Sequence, residues 1–241
     1  MAFEGIDVDT NHQAAFNVFD LPFSEMSFEA EIGKLNYHNF WLVDFHAVAR
    51  TTKNHYIHLD TLSLHAADGT LAIKGYFNGS DPEHIYFHST MEAEKLDLDK
   101  LLFKFENFGQ DYLINENLHG KVSGTIKSKF LVHPDLTPII DKSEADMDLT
   151  VYQGSLVNFA PLSAMSSYFS DKNLNNVRFD TLQNTFELRE GILSIPLMNI
   201  NSSLGFIELS GKQSLDMNMD YFIRIPLGLV TSVGFKSLFA G

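Results

Sequence analysis

The chain has 241 residues, of which 17 are basic and 31 acidic, a formal net charge of −14, and no cysteine. This length fits one large domain or two small ones, and the acidic balance argues against a nucleic-acid backbone or an anionic membrane surface as a general partner, because both require clustered Lys and Arg. Disulfides and thiolate metal sites are excluded, which leaves the redox compartment open.

Neither end of the chain carries a recognisable targeting or anchoring segment. Residues 1–9 have no basic stretch followed by an apolar one, so they do not predict a signal peptide. No window reaches the roughly 18 consecutive apolar residues of a membrane-spanning helix. Residues 226–241 are apolar, are interrupted by Lys236, and stop without a cap or a polar tail. We therefore expect this chain to be a piece of a longer protein.

Strict alternation of apolar and polar residues predicts antiparallel strands along much of the chain. The alternating runs are Leu71–Phe77, Ile85–Glu92, Lys121–Val132, Asp146–Val151 and Ser214–Ile225. A period of two is typical of half-buried strands, and one wet face is typical of antiparallel sheets. The last run predicts a single strand about 36 Å long. Turn-forming pairs between runs predict short connections; they are Asp68-Gly69, Asn78-Gly79, Gln153-Gly154, Glu190-Gly191 and Leu204-Gly205.

Two segments have the spacing of short amphipathic helices. The first runs from Asp97 to Glu106: Asp97 can cap its start, Gly109 lies just past its end, and an apolar stripe comprises Leu98, Leu101, Leu102 and Phe105. The second runs from Pro161 to Ser170, with a stripe of Leu162, Met165 and Phe169. Pro134 and Pro138 bracket a loop between two long strands. Both helices must lay an apolar side on the sheet.

The sequence lacks the residue patterns of common catalytic and cofactor sites. There is no GxSxG, no HExxH, no GxxxxGK[ST] and no GxGxxG. Of the ten histidines, His84 and His88 share a face of a predicted strand about 13 Å apart, too far for one metal ion. His55 and His58 form the other close pair, and we interpret the histidines as solvated residues of a polar face. The sequence predicts no enzyme, no cofactor and no metal site.

The apolar face of the predicted sheet is the remaining candidate for function. The chain has 21 Phe against eight Tyr and one Trp. Phe gives large burial without requiring a hydrogen bond, so either a closed core or a lipid-facing wall would use it in this way. Periodicity alone favours the ordinary core.

A succession of segments in the second half of the chain carries a family resemblance. The segments are Phe105–Gln110, Leu118–Gly124, Val151–Leu162, Val177–Phe179, Ile195–Ser203 and Leu209–Gly211. Their order and spacing are specific, although no single segment is. Residues 101–225 thereby resemble the C-terminal region of the AsmA-like family, in the form found in Bacteroidota-type envelope proteins and related to bridge-like lipid transporters such as TamB.

The resemblance implies a fold, a location and a function. The implied fold is mainly β, a single domain over residues 1–241 in which a long antiparallel sheet is curled into a groove (β-taco-like) with two short amphipathic helices. The implied location is the periplasm, with the full-length protein tethered to the inner membrane through segments that this chain lacks. The implied function is bridge-like phospholipid transport or outer-membrane homeostasis, with phospholipid acyl chains and envelope proteins as partners and no nucleic acid.

On this interpretation the apolar face is a lipid-facing groove. The candidate groove-facing residues are Val122, Ile126, Phe130, Met147, Leu149, Val151, Met217, Met219, Tyr221 and Ile223. Met suits such a wall because its flexible thioether adapts to irregular chains. The alternative is a non-transporting envelope scaffold in which the helices close the core and the acidic surface binds a protein partner.

Overall fold

The computed structural model describes residues 17–37, 40–104, 116–158, 174–214 and 218–224. These described residues are mainly β and form eleven strands, one α-helix and one short 3-10 helix, Val18–Asp20. The strands are β1 (Met26–Tyr37), β2 (Phe40–Thr51), β3 (Tyr56–Ala66), β4 (Gly69–Asn78), β5 (Ile85–Asp97), β6 (Leu118–Val132), β7 (Pro138–Val157), β8 (Asn176–Arg189), β9 (Ile192–Ser202), β10 (Gly205–Ser214) and β11 (Met219–Arg224). The helix is α1 (Leu98–Lys104).

All eleven strands belong to one open antiparallel sheet, in which each strand pairs with its neighbours in sequence. The connection between β6 and β7 lies between the two prolines that bracket the predicted loop, and Pro138 is the first residue of β7. β7 is 20 residues long, compared with a typical strand of about 5–6. The predicted mainly-β fold with a long antiparallel sheet is confirmed.

Cross-strand register places the apolar and polar residues on opposite faces. Ile126 of β6 pairs with Met91 of β5 and Met147 of β7, and Met91 pairs with Ile73 of β4. The face that carries these four side chains is called the apolar face below. Lys127 pairs with Thr90 and Asp146 on the opposite, polar face. Directly paired residues share a face of a sheet, so the period-two pattern was interpreted correctly for these strands.

Strand bulges bend the sheet near one end. On β5, Lys95 has a φ of 53°, and the register with β6 changes between Ala93 and Leu96. On β7, Gln153 has a φ of 50°, and the register with β6 changes next to it. Bulges increase local twist and bend strands, which is consistent with a curled sheet.

One of the five predicted turns is wrong. Gln153-Gly154 lies inside β7, where the positive φ of Gln153 makes a bulge and the chain continues in the same direction. Gly154 is needed there because the Phe179 ring packs over it, so that an added Cβ would lie 2.2 Å from a ring carbon. The other four pairs lie between consecutive strands, as predicted.

The predicted single strand Ser214–Ile225 is also wrong. β10 ends at Ser214 and β11 begins at Met219, which pairs with Gln213. The Ser214 amide donates to the Asn218 carbonyl at 3.0 Å, so the chain reverses between these two residues. Alternation continued across the reversal and concealed it, although Asp216 and Asn218 are common turn residues.

The first predicted helix is confirmed, and the described helix ends at Lys104. The Lys100 amide donates to Oδ1 of Asp97 at 3.1 Å, so Asp97 caps α1 as predicted. The second predicted helix, Pro161–Ser170, lies outside the described residues. Within the described part of the chain, no helix has the length and apolar character needed to cross a membrane.

Candidate functional site

The apolar face of the sheet is only partly covered by other parts of the chain. Among the described residues, fifteen apolar side chains are buried and fifteen large apolar side chains are exposed. Phe87, in the middle of the sheet on β5, is 38% exposed, and Phe28 on β1 is 48% exposed. In a closed two-layer fold such side chains would be covered by the second layer.

The N-terminal segment 17–23 covers one end of the apolar face. The Val18 amide donates to the Pro134 carbonyl at 2.8 Å. Val18 is buried in a cluster with Phe77, Ile85 and Val132, against which Phe19, Phe23 and Ile57 pack. The apolar residues of this segment show neither the strand nor the helix period, so no local sequence pattern predicts it.

His55 is held by the same N-terminal segment. The rings of Phe19 and Phe23 lie 5.1 and 4.5 Å from its ring, between centroids. Its Nε2 atom is buried without a hydrogen-bond partner among the described residues. The interpretation of the histidines as solvated polar-face residues is therefore wrong for His55.

Helix α1 covers the opposite end of the face. Leu98 and Leu101 pack against a buried cluster of Ala67, Leu96 and Val122. Lys100 Nζ lies 2.6 Å from Oδ2 of Asp68 in the turn after β3, which fixes the helix to the sheet. The Lys100 hydrogen bond lowers the pKa of the Asp68 carboxyl below its ordinary value.

Two rows of directly paired residues cross the sheet between these covered ends, and they are called the middle rows below. The first contains Ala30, Ala47, Leu62, Ile73, Met91, Ile126, Met147 and Phe186. The second contains Phe28, Ala49, Leu59, Gly75, Ser89, Ser128, Ala145, Leu188, Leu193, Gln213 and Met219. Every member of the first row is half-buried, whereas Ser128, Ala145 and Gln213 of the second row are buried. Neither row contains an ionisable residue.

The two serines of the second row are hydrogen-bonded to each other. Ser89 Oγ and Ser128 Oγ are 2.8 Å apart, and one hydroxyl donates to the other. This bond satisfies one of the two O–H donors within the protein, which lowers the cost of placing an apolar ligand above the pair. The middle rows therefore form a nearly continuous apolar strip across the sheet.

The structure distributes the predicted groove-facing residues over three places. Ile126 and Met147 lie in the open first middle row, and Phe130 lies beside Phe87. Val122, Leu149 and Val151 belong to the cluster beneath α1. Tyr221 and Ile223 lie on β11, 36% and 40% exposed, and Met219 pairs with Gln213 on the same strand pair. Met217 lies outside the described residues.

Other residues of the open strip were not among the predicted candidates. Ile73 and Met91 share the row of Ile126, and Phe28 begins the second row on β1. The alternation that predicted the strands of Ile73 and Met91 could have identified these two residues, since it places them on the same face. The strand of Phe28 was not among the predicted alternating runs. What the sequence could not supply was the register that aligns β1 and β4 with β6.

The polar face carries paired charges and a ladder of aromatic rings. Arg50 donates to both carboxylate oxygens of Asp60, at 2.7 and 2.8 Å, and Arg189 bonds to Asp146. The rings of Tyr76 and His88 stack at 5.3 Å, and burial raises the pKa of Tyr76. His84 lies in the turn before β5 and bonds to Asp81, so its predicted place on a strand face with His88 is wrong.

Three exposed or half-buried side chains on β1 and β2 could approach one cation. Glu29, Glu31 and His46 each offer a ligand atom, and these atoms lie within 4.8 Å of one another. The group consists of two neighbouring carboxylates and one imidazole on the polar face. Nothing else in the described residues points to a metal ion there.

Comparisons with protein-family models, with curated proteins and with solved structures found no match. The resemblance to the AsmA-like family consequently remains a prediction from the residues.

Proposed function

We propose that this protein binds lipid acyl chains on its open apolar face and belongs to a periplasmic system for bridge-like phospholipid transport. The observation that carries the proposal is the strip of middle rows, most of whose described side chains are only half-buried and which no second layer of described residues covers. A sheet with one apolar face must normally bury that face against another layer. The described segment 17–23 and helix α1 cover the apolar face at its two ends. A layer of bound acyl chains would cover the middle rows between them.

The strip runs across the strands. The second middle row includes one residue from each of the eleven strands, which at about 4.8 Å between neighbouring strands amounts to roughly 48 Å. Segment 17–23 and α1 border the strip at opposite strand ends. An acyl chain lying in it would therefore be oriented perpendicular to the strands and would pass from strand to strand.

The free-energy cost of exposing an acyl chain to water favours a continuous apolar strip over isolated lipid-binding sites. Each methylene exposed to water costs about 0.8 kcal/mol, so an acyl chain of about fifteen methylenes must stay covered at every step. Neither middle row offers a cation to retain a headgroup, and the net charge is −14. The headgroup remains in solvent while the chain slides along the strip.

The resemblance to the AsmA-like family extends this proposal from binding to transport. It supports a periplasmic location, tethering to the inner membrane, and a contribution to outer-membrane homeostasis. On this proposal the protein is not an enzyme, and its partners are phospholipids and envelope proteins.

Native mass spectrometry of the purified protein tests the proposal. We expect bound phospholipid on the wild type and its loss in Ile126→Asp, because a carboxylate on the open row must be desolvated by any chain above it. The matched control is Thr90→Asp, which adds the same side chain on the polar face between Lys74 and Lys127. Circular dichroism and urea unfolding establish that both variants fold.

Two outcomes would contradict lipid binding. One is a folded wild-type protein that carries no lipid and takes none from phosphatidylethanolamine vesicles. The other is equal loading of Ile126→Asp and Thr90→Asp. Either result would favour the scaffold alternative, in which the apolar face is closed by protein.

A further inference from the structure

The outer edge of β1 is a long strand edge without a partner strand among the described residues. β1 is 12 residues long, is the first strand of the open sheet and pairs with β2 alone. An antiparallel edge strand presents alternate N–H and C=O groups that can bond to a further strand. The opposite edge, β11, has only six residues.

The first seven residues of β1, from Met26 to Ile32, lack the features that usually block an edge. They contain no proline, and they pair with β2 in one unbroken register. The side chains on their apolar face include Met26, Phe28 and Ile32, which are 46%, 48% and 37% exposed. The charged side chain on this face is Lys34, which lies beyond Ile32 and opposes an added strand there, so the open edge is limited to these seven residues.

The polar side of the same strand carries two carboxylates close together. Glu29 and Glu31 lie within 4.8 Å of each other and of His46, and Glu29 is 3.7 Å from His46. The lysine of this strand, Lys34, lies on the other face, over the Trp41 ring at 4.1 Å, and does not neutralise these carboxylates. The edge therefore presents a local negative charge beside exposed apolar side chains.

Among the described residues, neither edge of the sheet offers the complement to that charge pattern. In an antiparallel pair of two β1 edges centred on Ala30, Glu29 would face Glu31, and like charges opposite each other are destabilising. The residues of β11 on the polar face are Asp220, Phe222 and Arg224. The Arg224 guanidinium already forms an ion pair with Glu208 at 2.8 Å. The charges thus disfavour self-association and favour a basic strand from elsewhere.

We infer that β1 is a docking edge for a β-strand of another protein, one in which apolar residues alternate with Lys or Arg. The added strand would bond to the free edge and extend the apolar face by one strand. Its basic side chains would lie against Glu29 and Glu31 on the polar face. This is recognition by strand addition, in which main-chain bonds supply affinity and alternate side chains supply specificity. It does not depend on lipid binding.

Fluorescence anisotropy with labelled nine-residue peptides tests the inference. The probe alternates valine and lysine (VKVKVKVKV), and the control peptide alternates valine and glutamate (VEVEVEVEV). We expect the lysine peptide to bind the wild type. We expect its Kd to be at least tenfold higher for the double variant Glu29→Lys/Glu31→Lys. The same double variant should gain binding of the glutamate peptide.

A second charge reversal separates edge docking from general attraction to an acidic protein. Glu92→Lys/Glu94→Lys changes the net charge by the same amount, but on β5, an interior strand with both edges paired. We expect this double variant to raise the Kd of the lysine peptide less than twofold. Equal weakening by the two double variants, or no binding of the lysine peptide at all, would overturn the inference.

Hydrogen exchange provides a result that charge attraction alone would not give. We expect the β1 amides of the free protein to exchange faster than those of β6, and to slow when the lysine peptide is added. β1 amides already as protected as those of β6 would show that the edge is covered, and the inference would be wrong.

Discussion

At the scale of single residues, the contact between Asp68 and Lys100 makes the attachment of α1 sensitive to acid. The lysine hydrogen bond, followed by its charge, lowers the pKa of Asp68 in the folded chain. A folded-state pKa below the unfolded value of about 3.9 means that the contact stabilises the fold above that value. This stabilisation is lost as the pH falls through the folded pKa.

We therefore expect Lys100→Met to raise the titration midpoint of Asp68, measured by carboxyl-carbon NMR. Asp135 is the internal control, because its pKa is lowered mainly by hydrogen bonds from Thr137 and should not respond. An unchanged Asp68 midpoint in the variant would mean that the lysine contact does not persist in solution.

Gly154 allows a second residue-scale prediction, because the Phe179 ring occupies the position where a side chain would be. Its added Cβ would lie 2.2 and 2.3 Å from two ring carbons of Phe179, which is itself buried. We expect Gly154→Ala to destabilise the protein by about 1–3 kcal/mol in urea unfolding, the usual range for overpacking.

The cost of Gly154→Ala should be smaller in a Phe179→Leu background, because the clashing ring is gone. Gly33→Ala is the matched control, since an added Cβ there has no atom within 4 Å. Equal effects at Gly33 and Gly154 would contradict the packing argument.

At the scale of elements, α1 acts as a cover over one end of the apolar face. Asp97 caps the helix, and removing an N-cap typically costs about 1 kcal/mol. We expect Asp97→Ala to loosen α1 and expose Val122 and Leu149, so that 1-anilinonaphthalene-8-sulfonate fluorescence rises at constant protein concentration. Asp148→Ala, on the polar face of β7, should leave the fluorescence unchanged. A helix that loosens in hydrogen exchange without added dye binding would show that α1 does not cover this surface.

The elements also show what the sequence could and could not predict. Alternation assigned Ile126 and Met147 to one face because a strand has a side-chain period of two, and Asp97 marked a helix start because its carboxylate can accept a backbone N–H. Gln153 was misread because a positive φ at a non-glycine residue depends on the neighbouring strands. The cover formed by Val18 and Phe23 depends on contacts with distant residues, which no local pattern encodes.

At the scale of the whole molecule, the described residues form one open sheet of eleven strands. The apolar clusters around Val18 and around Leu96 lie at opposite strand ends and do not join across the middle rows. Within the described part of the chain, the backbone ladder of the sheet connects these clusters, and most side chains of the middle rows between them are only half-buried.

The charge of the whole molecule predicts how loading should depend on the lipid headgroup. The net charge is −14, and lysines of β6 on the polar face lie opposite acids, with Lys127 paired to Asp146 and Lys129 to Glu144. No basic patch on β6 would therefore attract an anionic headgroup. At an ionic strength of about 0.01 M the screening length is about 30 Å, so the protein's charge acts on an approaching vesicle, whereas at about 1 M it is about 3 Å.

We accordingly expect loading from phosphatidylglycerol vesicles to be slower than from phosphatidylcholine vesicles at low salt, and the two rates to converge at high salt. The measurement is transfer of lipid with a fluorescent acyl chain from each vesicle type. The matched variant is Glu92→Lys/Glu94→Lys, which lowers the net negative charge without touching the middle rows and should reduce the difference at low salt. Faster loading of the anionic lipid at low salt would instead require a cationic headgroup site, which the described residues of the middle rows do not contain.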